Sequence, residues 1–152
     1  MKKLAVLIAT FFGIGRIRIA PGTWTSLAVA LIVYFIPLPA LSFLWLALAT
    51  GFVFVIGIPS AAACEKHFQK KDPRQCVIDE VAGQMVCFWF LPRTMAYYGA
   101  AFLLFRFFDI LKPFPIKASE QVPHGIGIML DDVLAGFYAL VVLHGTRYLF
   151  FK

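Results

Sequence analysis

Residues 40–58 run for nineteen positions without a single charge. In a helix, at about 1.5 Å per residue, such a run is about 28 Å long, close to the ~30 Å hydrocarbon core of a bilayer. It belongs either in a large soluble core or in lipid, and the rest of the chain decides which. Hydrophobic residues make up 61% of only 152 positions and charged residues 14%, with seventeen phenylalanines. Ordinary soluble domains stand near 45–50% apolar and about 25% charged. A soluble fold of this size cannot hide so much apolar surface, so the chain reads as an all-α integral membrane protein, a multi-helix bundle built of helical hairpins.

The prolines of "PLP", residues 37–39, interrupt the apolar stretch that begins near Leu27. Proline breaks or turns a helix, so 26–36 and 40–58 read as the arms of a hairpin, the first arm short. The polar stretch 64–76 carries Lys66, Lys70, Lys71 and Arg74, with the helix from 40 expected to run into it. Asp72-Pro73 has the form of a fresh helix start, with Asp72 as N-cap. Residues 77–91 and 95–108 read as a second hairpin turning at "LPRT", 109–125 as a loop, and 126–151 as one full crossing. The opening "MKKLAVLIATFFG" resembles a secretory signal but lacks a small-residue cleavage site, so it reads as a retained, short interfacial helix. Residues 1–152 form one membrane-embedded domain in this reading.

Each hairpin returns the chain to its starting side. Loops 13–25, 64–80 and 106–132 therefore share a face that carries all eight acidic residues and most of the basic ones. The excess of Lys and Arg assigns that face to the cytoplasm. The net charge of +6 is then a matter of topology. It does not indicate nucleic-acid binding, because no basic stripe with interleaved stacking aromatics lies outside the apolar segments. Cys64, Cys76 and Cys87 form neither a disulfide framework nor a zinc pair and read as reduced and structural. His67, His124 and His144 lie far apart and carry no metal role.

Five carboxylates stand where loop meets apolar helix: Asp79, Glu80, Asp109, Asp131 and Asp132. Ionisable groups at such depth are costly and are functional by default. Helix capping would explain one acid per helix, but not two adjacent acids twice and a third within "FRFFDILK". Hard oxygen donors suit Mg²⁺, commonly held by carboxylates together with a phosphate. Ala135 and Ala139 follow Asp131 at spacing four and Gly136 follows Asp132, so close helix approach could gather the acidic ends. Arg106 and Lys112 bracket Asp109 three residues away on each side. They could clamp a phosphoryl group, or Arg106 could simply pair with Asp109. "RIAPGTW", 18–24, places a helix start after Pro21-Gly22, with Thr23 at an anion-binding terminus or as a plain cap. Cys87 and Arg93 have the C-x5-R spacing of cysteine phosphatases, but the residues between them, "FWFLP", contain no glycine and one N–H-less proline, which disqualifies a phosphate loop.

"GTWTS" (22–26), "VIDEVAGQ" (77–84), "FRFFDILKPFPI" (105–116) and "GIGIMLDDVLAG" (125–136) resemble the phosphatidylglycerophosphatase A family over nearly the whole chain. The resemblance implies a Mg²⁺-dependent phosphatase of the bacterial inner membrane, multi-pass, with its active site at the cytoplasmic helix ends. It would remove the terminal phosphate of phosphatidylglycerophosphate to leave phosphatidylglycerol. By motif position, Asp79, Glu80, Asp109, Asp131 and Asp132 would be the acidic metal and catalytic residues, and Thr23, Arg106 and Lys112 the substrate-phosphate residues.

Two other readings use similar parts. A CDP-alcohol-type transferase needs D-x2-D-G-x2-A-R, and this chain has no such run. A small divalent-cation carrier would place its acids near the bilayer midplane, often within repeated halves. Here they lie at helix ends among cations, and no repeat is visible.

Overall fold

The computed structural model describes residues 2–36, 43–123 and 125–150. The chain is helical, with no strand among those residues. Helix α1 is Lys2–Ala9, followed by a 3-10 segment Phe11–Arg16; α2 is Pro21–Phe35, α3 Phe43–Phe68, α4 Ile78–Val86, α5 Met95–Leu111, α6 Ile116–Ser119 and α7 Ile126–Phe150. The expected "PLP" turn and His124 lie outside the described residues.

Two helices, Phe43–Phe68 and Ile126–Leu149, are long and apolar enough to cross a membrane. The outer face of α3 presents Leu44, Trp45, Leu48, Phe52 and Val55 uncovered, and α5 exposes Leu103, Phe107 and Ile110. Such contiguous apolar surface is untenable in water and is what lipid contact requires.

At the centre stands α4, with eight of its nine residues buried against α2, α3 and α7. Nine residues rise only about 13 Å. The segment expected to form the first arm of a full second hairpin is therefore a half-helix, ending at Val86 in a run of turns through residue 90. Non-helical backbone at membrane depth is tolerated only where protein encloses it, and here α3, α5 and α7 do so.

The α4–α7 crossing positions the site. A Cβ added at Gly136 would collide with Gly83 O, and one at Gly83 would stand 2.5 Å from Asp132 O and 2.6 Å from Phe105 Cε2. Only glycine at both positions lets the backbones approach this closely. Ala135 and Ala139 are completely buried in α7, as the small-residue spacing anticipated.

The Asp72-Pro73 helix start is a correction. The helix begins at Ile78 with Val77 as cap residue, because the chain needs residues 69–77 to turn back from the end of α3. Asp72 adopts a left-handed φ of 46°, Cys76 N–H donates to Pro73 O at 2.7 Å, and Val77 N–H donates to Ala9 O at 2.8 Å. The 109–125 loop is also shorter than expected. Helix α5 continues to Leu111, so Asp109 lies in its last turn, and α6 adds one short helix.

At the far end, cationic and aromatic side chains satisfy loose carbonyls. The Arg93 guanidinium donates to Tyr34 O, His144 Nε2 lies 3.0 Å from Trp89 O, and Arg147 donates to Phe90 O at 3.3 Å.

Candidate active site

The start of α2, the 72–80 stretch, the end of α5 with Lys112, and the second turn of α7 surround one pocket of about 260 Å³. The three loops assigned to a common face thus meet at a single cavity. All five junction acids line it, together with Arg106 and Lys112.

The acids fall into two groups. Asp79, Glu80 and Asp132 each offer a carboxylate oxygen, and these atoms lie within 4.8 Å of one another. Asp79 Oδ1, Glu80 Oε2 and Asp132 Oδ2 are buried without a hydrogen-bond partner. Unpartnered buried carboxylate oxygens are expensive, and three converging ones are a donor set that fits a hard divalent cation. Asp109 and Asp131 are instead ion-paired: Arg106 Nη1 lies 2.6 Å from Asp109 Oδ2 and Lys112 Nζ 2.6 Å from Asp131 Oδ2. Arg106 also reaches to 3.8 Å from Glu80 Oε1. It therefore bridges the two groups.

Lys112 is aimed by its backbone. It caps α5 in the left-handed region, φ 45° and ψ 59°, which reverses the chain and turns its side chain to Asp131 nineteen residues on. Burial alone would lower the Lys112 pKa. Hydrogen bonds to Asp131 and Glu120, with the charges of Asp131 and Asp132, outweigh burial and hold the ammonium above the usual lysine range. Ala20 and Asp72 also have positive φ, 48° and 46°, and all three residues line the pocket. Left-handed backbone at residues other than glycine is strained, and such strain concentrates at working sites. Asp72 keeps an exposed edge, but partial desolvation where it lines the pocket raises its carboxyl, and the Lys112 charge partly offsets the rise.

Helix α2 starts with Pro21 at its first position and without a side-chain cap. The N–H groups of Gly22 and Thr23 consequently have no acceptor within the helix. A Cβ at Gly22 would collide with Glu80 Oε1 and stand 3.1 Å from Arg106 Nη1, so a side chain there would push these two site groups aside. The Thr23 side chain, an expected phosphate residue, is not part of the pocket wall, which this segment forms from Ala20, Pro21 and Gly22. Sequence reasoning missed Gly22 and Asp72 as pocket residues. The Pro21-Gly22 turn signal was the available clue to the first. Glu120 shares Lys112 with Asp131 through an Oε1–Nζ contact of 2.5 Å.

The cysteine-phosphatase spacing has no geometric counterpart. Cys87 is fully buried, with its thiol donating to Gly83 O at 3.4 Å, while Arg93 serves the opposite end of the bundle.

A helical membrane protein with unpartnered carboxylate oxygens and clamped cations in one pocket at its helix ends has the parts of a metal-assisted phosphoryl-transfer enzyme. The family model described as Phosphatidylglycerophosphatase A matches residues 7–147, and the chain belongs to that family of enzymes. It is 38% identical to a Haemophilus influenzae protein named phosphatidylglycerophosphatase A, over 97% of this chain and 94% of the relative. The Escherichia coli protein of the same name is 31% identical over 91% of this chain and 80% of its own length. A Bacteroides thetaiotaomicron protein provisionally named phosphatidylinositol-3-phosphatase is 38% identical, over 95% of this chain and 94% of the relative. No solved structure matches the chain.

Proposed function

We propose that the protein is a Mg²⁺-dependent lipid phosphatase that hydrolyses the terminal phosphomonoester of phosphatidylglycerophosphate, leaving phosphatidylglycerol, at the cytoplasmic surface of a bacterial inner membrane. One observation carries the reading: three buried, unpartnered carboxylate oxygens stand beside two anchored cations in a pocket at membrane-helix ends. Asp79, Glu80 and Asp132 would hold the metal. Bound there, Mg²⁺ supplies Lewis-acid polarisation of a phosphoryl oxygen and lowers the pKa of a coordinated water.

The chain's own groups do the rest. Arg106 and Lys112 offset the charge of the phosphate and the charge that develops as the ester P–O bond breaks. Asp109 and Asp131 orient those two cations and keep them from collapsing onto the metal ligands. The free N–H groups of Gly22 and Thr23 donate to a phosphate oxygen, assisted by the helix dipole. Hydrolysis adds the water oxygen to phosphorus and returns a proton to the glycerol oxygen that leaves. The acyl chains stay in the bilayer against the apolar flanks of the bundle. Basic residues concentrated around the pocket support the cytoplasmic orientation. Acids at helix ends, interleaved with Arg106 and Lys112, argue against a cation carrier.

The headgroup rests on the names of relatives, and one of these names a different lipid phosphate. The test is phosphate release by the purified protein from phosphatidylglycerophosphate and, in parallel, from phosphatidylinositol 3-phosphate, each with Mg²⁺ and with a chelator. Mg²⁺-dependent release with preference for the first supports the proposal. Preference for the second would replace the substrate while keeping the chemistry. Release that survives chelation would reject the metal-site reading.

A further inference from the structure

A second cavity lies away from the acidic pocket, between α1 and the C-terminal half of α3. At about 890 Å³ it is larger than the pocket itself, and Val6, Pro59, Ala62 and Ala63 form its floor. Its rim is Lys2, Lys3, Arg16, Lys66 and His67, with no acidic residue among the lining groups. Among the described residues none of the four cations has a carboxylate partner, and all four are exposed. From Lys66 to Pro59 the floor descends seven residues, or about 10 Å of helix, from the charged end of α3 into the stretch that faces lipid.

A groove that is basic at the membrane surface and apolar below has the polarity of one molecule class. We infer that it binds a membrane phospholipid with an anionic headgroup, its phosphate among Lys2, Lys3, Arg16 and Lys66 and an acyl chain along Ala62 and Pro59. Charge complementarity selects this occupant. Free cations at the surface attract acidic lipids, and lysine and arginine reach a headgroup while their stems lie along apolar surface. The alanines and the proline of α3 leave the width that a chain needs, where larger side chains would fill it.

The groove also has a neighbour. Arg16 lines a further depression together with Arg18 and Arg74, and that depression shares Pro21 and Arg74 with the acidic pocket. A lipid held by its phosphate in the groove is thus connected to the pocket by a line of arginines. The binding inference stands on the groove alone and does not require the phosphatase reading.

The experiment is native mass spectrometry of the detergent-purified protein without divalent metal. Dioleoyl phosphatidylserine and dioleoyl phosphatidylcholine are added at equal concentrations. Wild type should retain phosphatidylserine preferentially, and Lys2→Gln, Lys3→Gln and Lys66→Gln should each weaken that retention by about fivefold. Asp132→Asn, in the acidic pocket, should leave it unchanged. Ala63→Leu, which fills the floor without touching a charge, should reduce retention of phosphatidylserine as well. Equal retention of the two lipids by wild type, or a preference that survives loss of all three lysines, would overturn the inference. A preference lost only in Asp132→Asn would assign the lipid to the acidic pocket and overturn it equally.

Discussion

Replacing Gly83 by alanine isolates the step from packing to chemistry. The added Cβ would meet Asp132 O at 2.5 Å, whereas ordinary contact begins near 3.4 Å, so α4 and α7 must part by about 0.9 Å at that level. Backbone carbonyl and Phe105 ring oppose the methyl, and neither can swing aside as a flexible side chain would. The cost is that of overpacking, ~1–3 kcal/mol of stability. The functional cost is larger, because the separation pulls Asp132 from Asp79 and Glu80, whose oxygens lie within 4.8 Å of it. A misplacement of about 1 Å at a reacting centre can cost ~10²-fold. Gly83→Ala should therefore raise the Mg²⁺ concentration for half-maximal turnover and lower kcat by one to two orders of magnitude. Gly99→Ala in α5 is the control: nothing lies within 4 Å of its Cβ. It should gain up to about 1 kcal/mol from helix propensity and leave turnover untouched. The assay is phosphate release in mixed micelles across a Mg²⁺ series, beside thermal unfolding of each variant. Wild-type turnover and Mg²⁺ dependence in Gly83→Ala would refute the idea that this crossing sets the site.

Three further outcomes follow from the same geometry. Lys112→Met strands Asp131 and Glu120 and should cost about 2 kcal/mol, below the ~3–5 of a fully buried pair because Lys112 keeps some solvent contact; adding Asp131→Leu should restore stability in thermal unfolding but not turnover. Cys87→Ser should keep near-normal activity, since a hydroxyl can also donate to Gly83 O, and loss of activity would revive the cysteine mechanism. Applied from outside intact cells, a membrane-impermeant thiol reagent should label Thr94→Cys and spare Lys70→Cys, with the native cysteines silent because all three are buried; the reverse pattern would invert the topology.

The parts of the site that were legible in the sequence are those set by local cost. Aspartates beside long apolar runs are too expensive to be incidental, so all five acids stood out, and the Arg106–Asp109 pair could be read from its spacing of three. Small residues after Asp131 and Asp132 announced a close helix crossing. What stayed hidden depends on pairing across the fold. Nothing in the sequence links Lys112 to Asp131, or sets Gly22 against Glu80, because those contacts join α2, α4, α5 and α7. Division of the acids into a converging trio, each with an unpartnered oxygen, and two close ion pairs follows from those contacts and was equally hidden. Asp72-Pro73 has the composition of a helix start, but the chain reverses there first and the helix waits until Ile78. Hydropathy likewise does not distinguish a buried half-helix such as α4 from a crossing arm.

The central claim is that Asp79, Glu80 and Asp132 form the cation site on which hydrolysis depends. Isothermal titration of Mg²⁺ into the purified protein, in wild type, Glu80→Gln, Asp132→Asn and Asp109→Asn, tests it most directly. The account predicts that Glu80→Gln and Asp132→Asn each weaken Mg²⁺ binding by about tenfold or more and lose turnover in step, while Asp109→Asn retains most of the affinity and loses turnover through Arg106. Unchanged Mg²⁺ affinity in Glu80→Gln and Asp132→Asn would contradict it.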